Sequence, residues 1–339
     1  MSTEEHTQSC LVVGAGLSGL LAARTLCDRG WEVTVLDKGR GVGGRLATQR
    51  IEDGVFDHGA QFFTVRGEQF EQMVSEWWAA GIVEEWSRGF ATPDGRYEPD
   101  GYPRYRGSTG MTAIAKHLAR GLDVRTGQRV VEVARAGRAW RASTESGAVL
   151  SARCLILTAP VPQSLALVSA GAVGLPAEVR EALERIDYQR CISVMALLDG
   201  PCRTPEPGGI QYSGQNGTGE PVWWLADNKR KGISPVPAIT LHAGPQFSAE
   251  RWEVADETVA LELLGYVGDF VGAPVRRVQF SRWRYSMPVE PYPEPCLLAS
   301  VAPPLVFAGD AFGGPKVEGA AMSGLAAAAQ LIEIAEARP

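Results

Sequence analysis

The segment Cys10 to Asp37, CLVVGAGLSGLLAARTLCDRGWEVTVLD, constrains this chain more than any other. It opens with a short β-branched apolar run, Cys10 to Val13, that stops at a glycine and so reads as a buried parallel strand. From Leu17 to Arg29 apolar residues recur at helical spacing, with Gly30 set as the left-handed stop. Glu32 to Leu36 reads as a second strand ending at Asp37. Together these make one βαβ unit whose first turn carries G-A-G-L-S-G. In such a turn Gly14 allows the tight bend, Gly16 lets the backbone approach a pyrophosphate, and Gly19 lets helix pack closely on strand. The helix N-terminus, at Leu17 and Ser18, presents N–H groups to phosphate oxygens. Asp37 is placed to accept hydrogen bonds from an adenosine ribose. A dinucleotide is the expected ligand.

At 339 residues the chain exceeds what one small core needs, so two lobes are expected. Its net charge of −6 argues against a nucleic-acid surface. Six cysteines are scattered without a C-x-x-C pair, and the four histidines include no close pair, so neither a disulfide framework nor a metal site is expected. The first residues, MSTEEHTQ, are polar and acidic, unlike a signal peptide, and no run of about 18 apolar residues occurs. The expectation is a soluble, cytoplasmic protein, monomeric and without a membrane partner.

Beyond Asp37 lies the glycine-rich loop GRGVGGR, then a strand pair through Phe56 and the segment DHGAQFFT. Glu68 to Trp86 predicts a helix with Phe70, Val74, Trp77 and Trp78 on its packed face. Gly110 to Gly121 predicts another helix, and QRVVEVARAGRAWRAST an antiparallel ribbon containing Val130. CLILTAP, from Cys154, reads as a strand returning to the first sheet. Strands are expected at Ser193 to Leu198, Val222 to Leu225 and Ala238 to Ala243. Pro288 to Pro304 reads as an extended connector, LVFAGD as a last strand, and the alanine-rich stretch from about Gly319 as a last helix. The fold class is therefore α/β: a discontinuous Rossmann-like domain over 1–68, 106–160 and 290–339, with a second α+β substrate domain over 69–105 and 161–289 built on a mixed or antiparallel sheet.

A glycine fingerprint serves NAD and FAD alike, so the choice between them comes from elsewhere. In G-V-G-G-R, Gly43 and Gly44 let the backbone pass close to a ligand, and Arg45 offers a guanidinium for a pyrophosphate oxygen. A second signal is A-G-D at Ala308, Gly309 and Asp310, followed by V-E-G-A-A-M-S-G. Asp310 can bond the ribityl or pyrophosphate region, and the N-terminus of the helix that follows can face the flavin pyrimidine edge. These motifs in this order point to FAD.

The motifs GAGLSGL, DKGRGVGGR, DHGAQFFT and AGD...VEGAAMSG together resemble the amine-oxidase-like flavoprotein superfamily, and within it the renalase group, especially its bacterial members. WWLADNKRK around Trp224, LHAGPQFS from Leu241 and SRWRYSMP from Ser281 extend the resemblance over nearly the whole chain. It implies a non-covalently bound FAD, held by the fingerprint, Asp37, Lys38, Gly44 and Arg45. Further contacts are implied from Gly59, Ala60, Gln61 and Phe62, from Val130, and from Gly309, Asp310, Val317, Glu318, Gly319 and Ala320. It also implies a substrate pocket with Asn228, His242 and Trp283 as its catalytic residues. The implied reaction is oxidation of the 2- and 6-dihydro isomers of NADH and NADPH, with hydride passing to flavin N5 and electrons then to oxygen, giving hydrogen peroxide. The basic run Lys229, Arg230 and Lys231 is a candidate contact for a substrate phosphate.

Three alternatives remain open on sequence grounds. Amine oxidation is one, although Lys316 stands where monoamine oxidases carry an aromatic cage residue just before the V-E-G-A segment. The others are a flavin-scaffold protein without redox chemistry and an ordinary NAD-dependent dehydrogenase.

Overall fold

A computed structural model describes residues 8–212 and 220–337. They form two compact units, Met1–Gly44 with Ala115–Asp187 and Met287–Pro339, and Arg45–Ile114 with Tyr188–Ser286.

The first unit is built on a six-stranded sheet in the order Leu297–Val301, Pro304–Phe307, Cys154–Leu157, Ser9–Val13, Glu32–Leu36, Asp123–Arg125. All neighbours are parallel except the first pair. Strand order reverses at Ser9–Val13: the chain moves outward to Glu32–Leu36 on one side, then returns to Cys154–Leu157 on the other. Such a switch point leaves a crevice at the strand's carboxyl end, where Gly14 lies. The helix Leu17–Cys27 follows, and Trp31 N–H closes its end on the Leu26 carbonyl at 3.1 Å.

Against this helix lies the long C-terminal one, Lys316–Glu336. Their contact is made of small residues. A Cβ on Gly324 would fall 2.2 Å from the Ser18 carbonyl oxygen, so only glycine permits this crossing. A three-stranded ribbon, Val130–Ala136, Ala139–Thr144 and Val149–Ala152, completes the unit, with Trp140 buried and its Nε1–H on the Pro304 carbonyl at 2.8 Å. The helix Val161–Ala170 packs on that ribbon, its Gly171 end seated over the Val133 carbonyl.

The second unit holds a seven-stranded sheet ordered Val275–Pro288, Tyr188–Leu198, Ala238–Ala243, Val222–Asp227, Gly209–Gln211, Val83–Ala91, Tyr97–Gly107. Strand periodicity gives it two different faces. One face, with Ile192, Val194, Leu225, Ile239 and Leu241, is covered by Val259 and Leu263 of the helix Asp256–Tyr266. The opposite face carries Met195, Leu197 and Ala238 packed on Ile51 and Phe56 of the ribbon Thr48–Ile51/Gly54–Asp57, and beside them Trp224, Ala226 and Phe90.

Several expectations need correction. The first unit gains 161–187, because the helix there packs on the ribbon. Residues 45–68 and 106–114 fall in the second unit and 287–289 in the first; the Thr48–Asp57 ribbon shares its core with Leu197 and Ala238. The helix expected to run to Trp86 is Glu68–Ala79. It stops at Gly81, φ +68°, in a Schellman turn with Ile82 N–H on the Trp77 carbonyl at 2.8 Å and Gly81 N–H on Trp78 at 2.9 Å. Residues Val83–Ala91 then run as a strand, and Trp78 is 49% exposed rather than packed. The proline-rich connector contains the edge strand Leu297–Val301, where two prolines just beyond its end do not interrupt pairing. The last helix starts at Lys316, three residues before the expected point. All six cysteines are free, and among the described residues no helix is long and apolar enough to cross a membrane.

The Gly324 crossing generates a test. Gly324→Val should lower stability by at least about 2 kcal/mol through overpacking against the Ser18 carbonyl, read as a shifted urea midpoint with unchanged slope. An unchanged midpoint would mean that the two helices do not meet there.

Candidate functional site

In the first unit the fingerprint folds as its glycines require. Gly14 has φ +115°, donates to the Leu36 carbonyl at 2.8 Å, and a Cβ on it would lie 2.4 Å from Thr158 Oγ1. A Cβ on Gly19 would lie 2.0 Å from the Gly14 carbonyl oxygen. Thr158 lines both glycines, donating to the Val13 and Gly14 carbonyls at 3.0 and 3.2 Å. Gly16 differs: a Cβ there would meet nothing within 4 Å. Two glycines are thus fixed by the protein's own packing, and one opens onto space. Gly44 runs past that opening, its Cβ position 3.5 Å from the Gly16 Cα, and Gly16 and Gly43 form an isolated bridge. No side chain caps the helix starting at Leu17, so its first N–H groups are not claimed from within the chain by a capping residue. Leu17 and Ser18 are buried, and Ser18 Oγ has no hydrogen-bond partner.

Asp37 does more than the sequence suggested. Its Oδ2 accepts from Ala15 N–H and its Oδ1 from Gly39 N–H, both at 2.6 Å, so the carboxylate ties the fingerprint turn to the loop after the second strand. Lys38 donates to Gln163 Oε1 at 3.0 Å, and burial, aided by the neighbouring Arg129 charge, pulls its pKa down. Val130 is buried at the start of the ribbon. Gly309, φ +131°, gives its N–H to Ser323 Oγ at 2.8 Å, which holds the strand end and Asp310 against the last helix. That helix also starts without a side-chain cap, carrying Val317, Glu318, Gly319 and Ala320 in its opening turns. A Cβ on Gly319 would strike the Gly314 carbonyl at 1.8 Å. Lys316, immediately before them, is exposed and has φ +80°, a left-handed backbone that a lysine rarely adopts. Two uncapped helix starts, two glycine-lined turns and an opening at Gly16 fit an extended dinucleotide.

In the second unit the chemistry gathers around a buried ion pair. Lys231 Nζ lies 2.6 Å from Asp57 Oδ2, with both side chains fully buried. Asp57 Oδ1 also accepts from Thr48 Oγ1 at 2.5 Å and Met111 N–H at 2.8 Å, and the ammonium stands 4.9 Å from the Trp86 ring centre. Burial lowers the Lys231 pKa, opposed by Asp57. The sequence offered Lys229, Arg230 and Lys231 as a phosphate-binding run, and the structure divides them. Lys231 is inside, Arg230 pairs with Glu206 and Asp227, and Lys229 is exposed.

Gln61 Nε2 donates to the Asp57 carbonyl at 2.6 Å and lies 3.3 Å from His242 Nε2. The same amide NH2 also donates to the Gly59 carbonyl at 3.3 Å, and donor and acceptor in its contact with His242 Nε2 follow the imidazole tautomer. Burial pushes His242 and His58 each down to about 4, so both rings are neutral at ordinary pH. His58 stacks on Trp283 with centroids 5.2 Å apart, and Trp283 Nε1–H donates to the His58 carbonyl at 2.7 Å. His242 and Trp283 are half-buried. Asn228 is not: it is fully buried, with Nδ2 on Thr240 Oγ1 at 2.9 Å and its N–H on the Ala238 carbonyl at 2.7 Å. These bonds organise the turn into Ala238–Ala243, and Asn228 Oδ1 is left without a hydrogen-bond partner. Phe62 joins Trp86, Phe90 and Trp224 in an aromatic cluster on the same sheet face.

Arg45 opens this unit. Its Nη1 donates to the Tyr285 and Ser286 carbonyls at 3.3 Å each, an anchoring role in addition to the phosphate contact expected of it. Gly59 packs on the Arg45 backbone, where a Cβ would fall 2.1 Å from its carbonyl, and Ala60 N–H donates to that oxygen at 2.8 Å. The sequence reading missed His58, Thr158, Ser323 and the aromatic partners of Phe62. His58 alone had a local signal, as a histidine inside the DHGAQFFT motif.

Residues 66–332 match the family of flavin-containing amine oxidoreductases, and residues 12–77 match the NAD(P)-binding Rossmann-like domain. The chain belongs to the flavin-containing amine oxidoreductase family. It is an FAD-dependent oxidoreductase. Renalase from Mus musculus is 24% identical over 268 residues, 74% of this chain and 75% of that protein. Hydroxyneurosporene desaturase from Rubrivivax gelatinosus is 35% identical over 85 residues, 25% of this chain and 16% of that protein. Among solved structures, putrescine oxidase bound to putrescine superposes with a TM-score of 0.73 at 15% identity, covering 96% of this chain and 99% of that one. A putative protoporphyrinogen oxidase from Exiguobacterium sp. 255-15 gives 0.69 at 14% identity, covering both chains fully. The structural likenesses establish the fold, and the family and its cradle establish FAD as the cofactor.

Gly16→Ala should leave the stability of flavin-free protein within about 0.5 kcal/mol, because its Cβ meets no protein atom, while reducing the flavin retained on purification at least severalfold. Full retention of flavin in this variant would dissociate Gly16 from the cofactor. Lys231→Met should cost about 3–5 kcal/mol by leaving Asp57 buried without its counter-charge. Asp57→Asn combined with Lys231→Met should recover much of that loss in urea unfolding, whereas additive losses would mean that the two residues act independently.

Proposed function

We propose that this protein oxidises the 2- and/or 6-dihydro isomers of NADH or NADPH to the ordinary oxidised cofactor, with oxygen as the final acceptor. The observation that carries this reading is the character of the sheet face around His242: aromatic, desolvated and, among the described residues, without a carboxylate available as a base. Asp57 is occupied by Lys231, Thr48 and Met111, and His242 and His58 are both held near pKa 4. A dihydropyridine loses hydride and becomes an aromatic pyridinium, so no proton need be removed from it. Orientation and exclusion of water are then what the protein must supply.

FAD, when bound without a covalent link, supplies the two-electron acceptor and the route to oxygen. The overall balance is dihydro isomer, oxygen and one proton in, with oxidised dinucleotide and hydrogen peroxide out. In this reading Trp283, fixed by the His58 carbonyl and ring, offers a flat surface to the substrate ring, and His242 fixes Gln61 beside it. The partners are the dinucleotide and oxygen, and the chain works as a cytoplasmic monomer. The likeness to renalase supports the same assignment.

Amine oxidation is the second reading, supported by the family itself. Lys316 disfavours it, since an exposed ammonium just before Val317 repels a protonated amine. Anaerobic mixing of the flavin-loaded protein with each dihydronicotinamide isomer should bleach the flavin, ordinary NADH should not, and admitting oxygen should restore the colour with one peroxide per turnover. Bleaching by simple amines with release of aldehyde, and none by either isomer, would replace this proposal with the second reading.

A further inference from the structure

Among the described residues, several buried polar atoms near His242 lack partners: Asn228 Oδ1, His58 Nδ1 and three on or against its sheet face. Ser193 and Trp224 stand directly opposite His242 on its two neighbouring strands, and Gln61 lies against the imidazole at 3.3 Å. Ser193 Oγ, Trp224 Nε1 and Gln61 Oε1 each lack a hydrogen-bond partner, in residues only 0%, 7% and 6% exposed. Buried polar atoms are nearly always paired, so three orphans around one side chain mark a place shaped for a polar group from outside the chain.

Their chemistry is specific. The Asp57 carbonyl fixes which end of the Gln61 amide is nitrogen, so the orphan Oε1 is an acceptor. Trp224 Nε1–H is only a donor, and the Ser193 hydroxyl can donate. One acceptor and two donors match a primary carboxamide, which has N–H groups to give and a carbonyl oxygen able to accept twice. Phe62, Trp86 and Phe90 surround Trp224 with flat apolar surface, suited to an aromatic ring bearing that amide.

We propose that Gln61, Trp224 and Ser193 read the carboxamide of a nicotinamide ring: Gln61 Oε1 accepts from its N–H, and Trp224 Nε1–H and the Ser193 hydroxyl donate to its carbonyl. The ligand class rests on the proposed function, and the reading atoms are what is added to it. A carboxylate in its place would set oxygen against Gln61 Oε1 with no proton to share. Lys231, the buried cation nearby, is already held by Asp57, so acid analogues are rejected.

The test uses binding to the flavin-loaded protein, measured by calorimetry, with nicotinamide, 3-acetylpyridine and nicotinic acid as probes. 3-Acetylpyridine keeps the ring and carbonyl but has a methyl in place of NH2. Wild-type protein should bind nicotinamide about tenfold more tightly than 3-acetylpyridine, from the acceptor left unpaired, and nicotinic acid more weakly still. Gln61→Leu should bring the first ratio near one, whereas Ser193→Ala should weaken both carbonyl probes alike. Equal wild-type affinities, or a ratio unchanged in Gln61→Leu, would overturn the proposal. If Gln61→Leu does not fold, the wild-type ratios and the parallel loss in Ser193→Ala decide it. Binding is read without turnover, so amide selectivity in a protein that no dihydro isomer bleaches would count against the oxidase assignment alone.

Discussion

The second unit is organised by one buried ion pair. Asp57 closes the short ribbon, and its carboxylate gathers the Thr48 hydroxyl, the N–H of Met111 just before the helix Thr112–Leu118, and the Lys231 ammonium from the turn after Val222–Asp227. Its backbone carbonyl orients Gln61, which lies against His242. A pair of this kind need not add net stability, because desolvating both charges cancels much of their attraction. What it provides is a shared anchor: three segments distant in sequence, the Thr48–Asp57 ribbon, Met111 and Lys231, meet at one carboxylate. The neutral histidines follow from the same local dryness.

Much of the first unit was legible because its requirements are local. The bend at Gly14, the close packing at Gly19 and the strand of apolar residues before them are dictated by neighbours in sequence, and the βαβ unit follows residue by residue. The second unit resisted because its decisive contacts are long-range. Lys229, Arg230 and Lys231 read as a solvated basic run, since nothing local reveals that the third of them meets Asp57, 174 residues away in sequence. Trp86 looked helical because the pattern from Phe70 continues past Trp77, and only the left-handed Gly81 ends it. Asn228 resembled a pocket residue by position, while its hydrogen bond to Thr240 is a product of tertiary structure.

The two units solve different problems with different materials. The first uses small residues and bare helix starts, which let backbone N–H groups do the binding with few charged side chains involved. The second uses large rings and neutralised polar groups, which suit recognition of a flat heterocycle by shape and by a few directed hydrogen bonds. Acidic residues are frequent in the chain as a whole, and the buried one beside Gln61, Asp57, is held by Lys231, Thr48 and Met111.

The crossing of the last helix over the first has a consequence for biosynthesis. Ser18 and Gly324 come from opposite ends of the chain, and the parallel strands beside Ser9–Val13 include Pro304–Phe307 from near its end. Contacts of such high sequence separation form late and slowly. The fingerprint strand is therefore made well before Leu297–Val301 and Pro304–Phe307, the last two of the six strands in its sheet. The helix Lys316–Glu336, which braces the phosphate turn through Gly324 and Ser18, follows them, so the turn gains that support only after both strands exist.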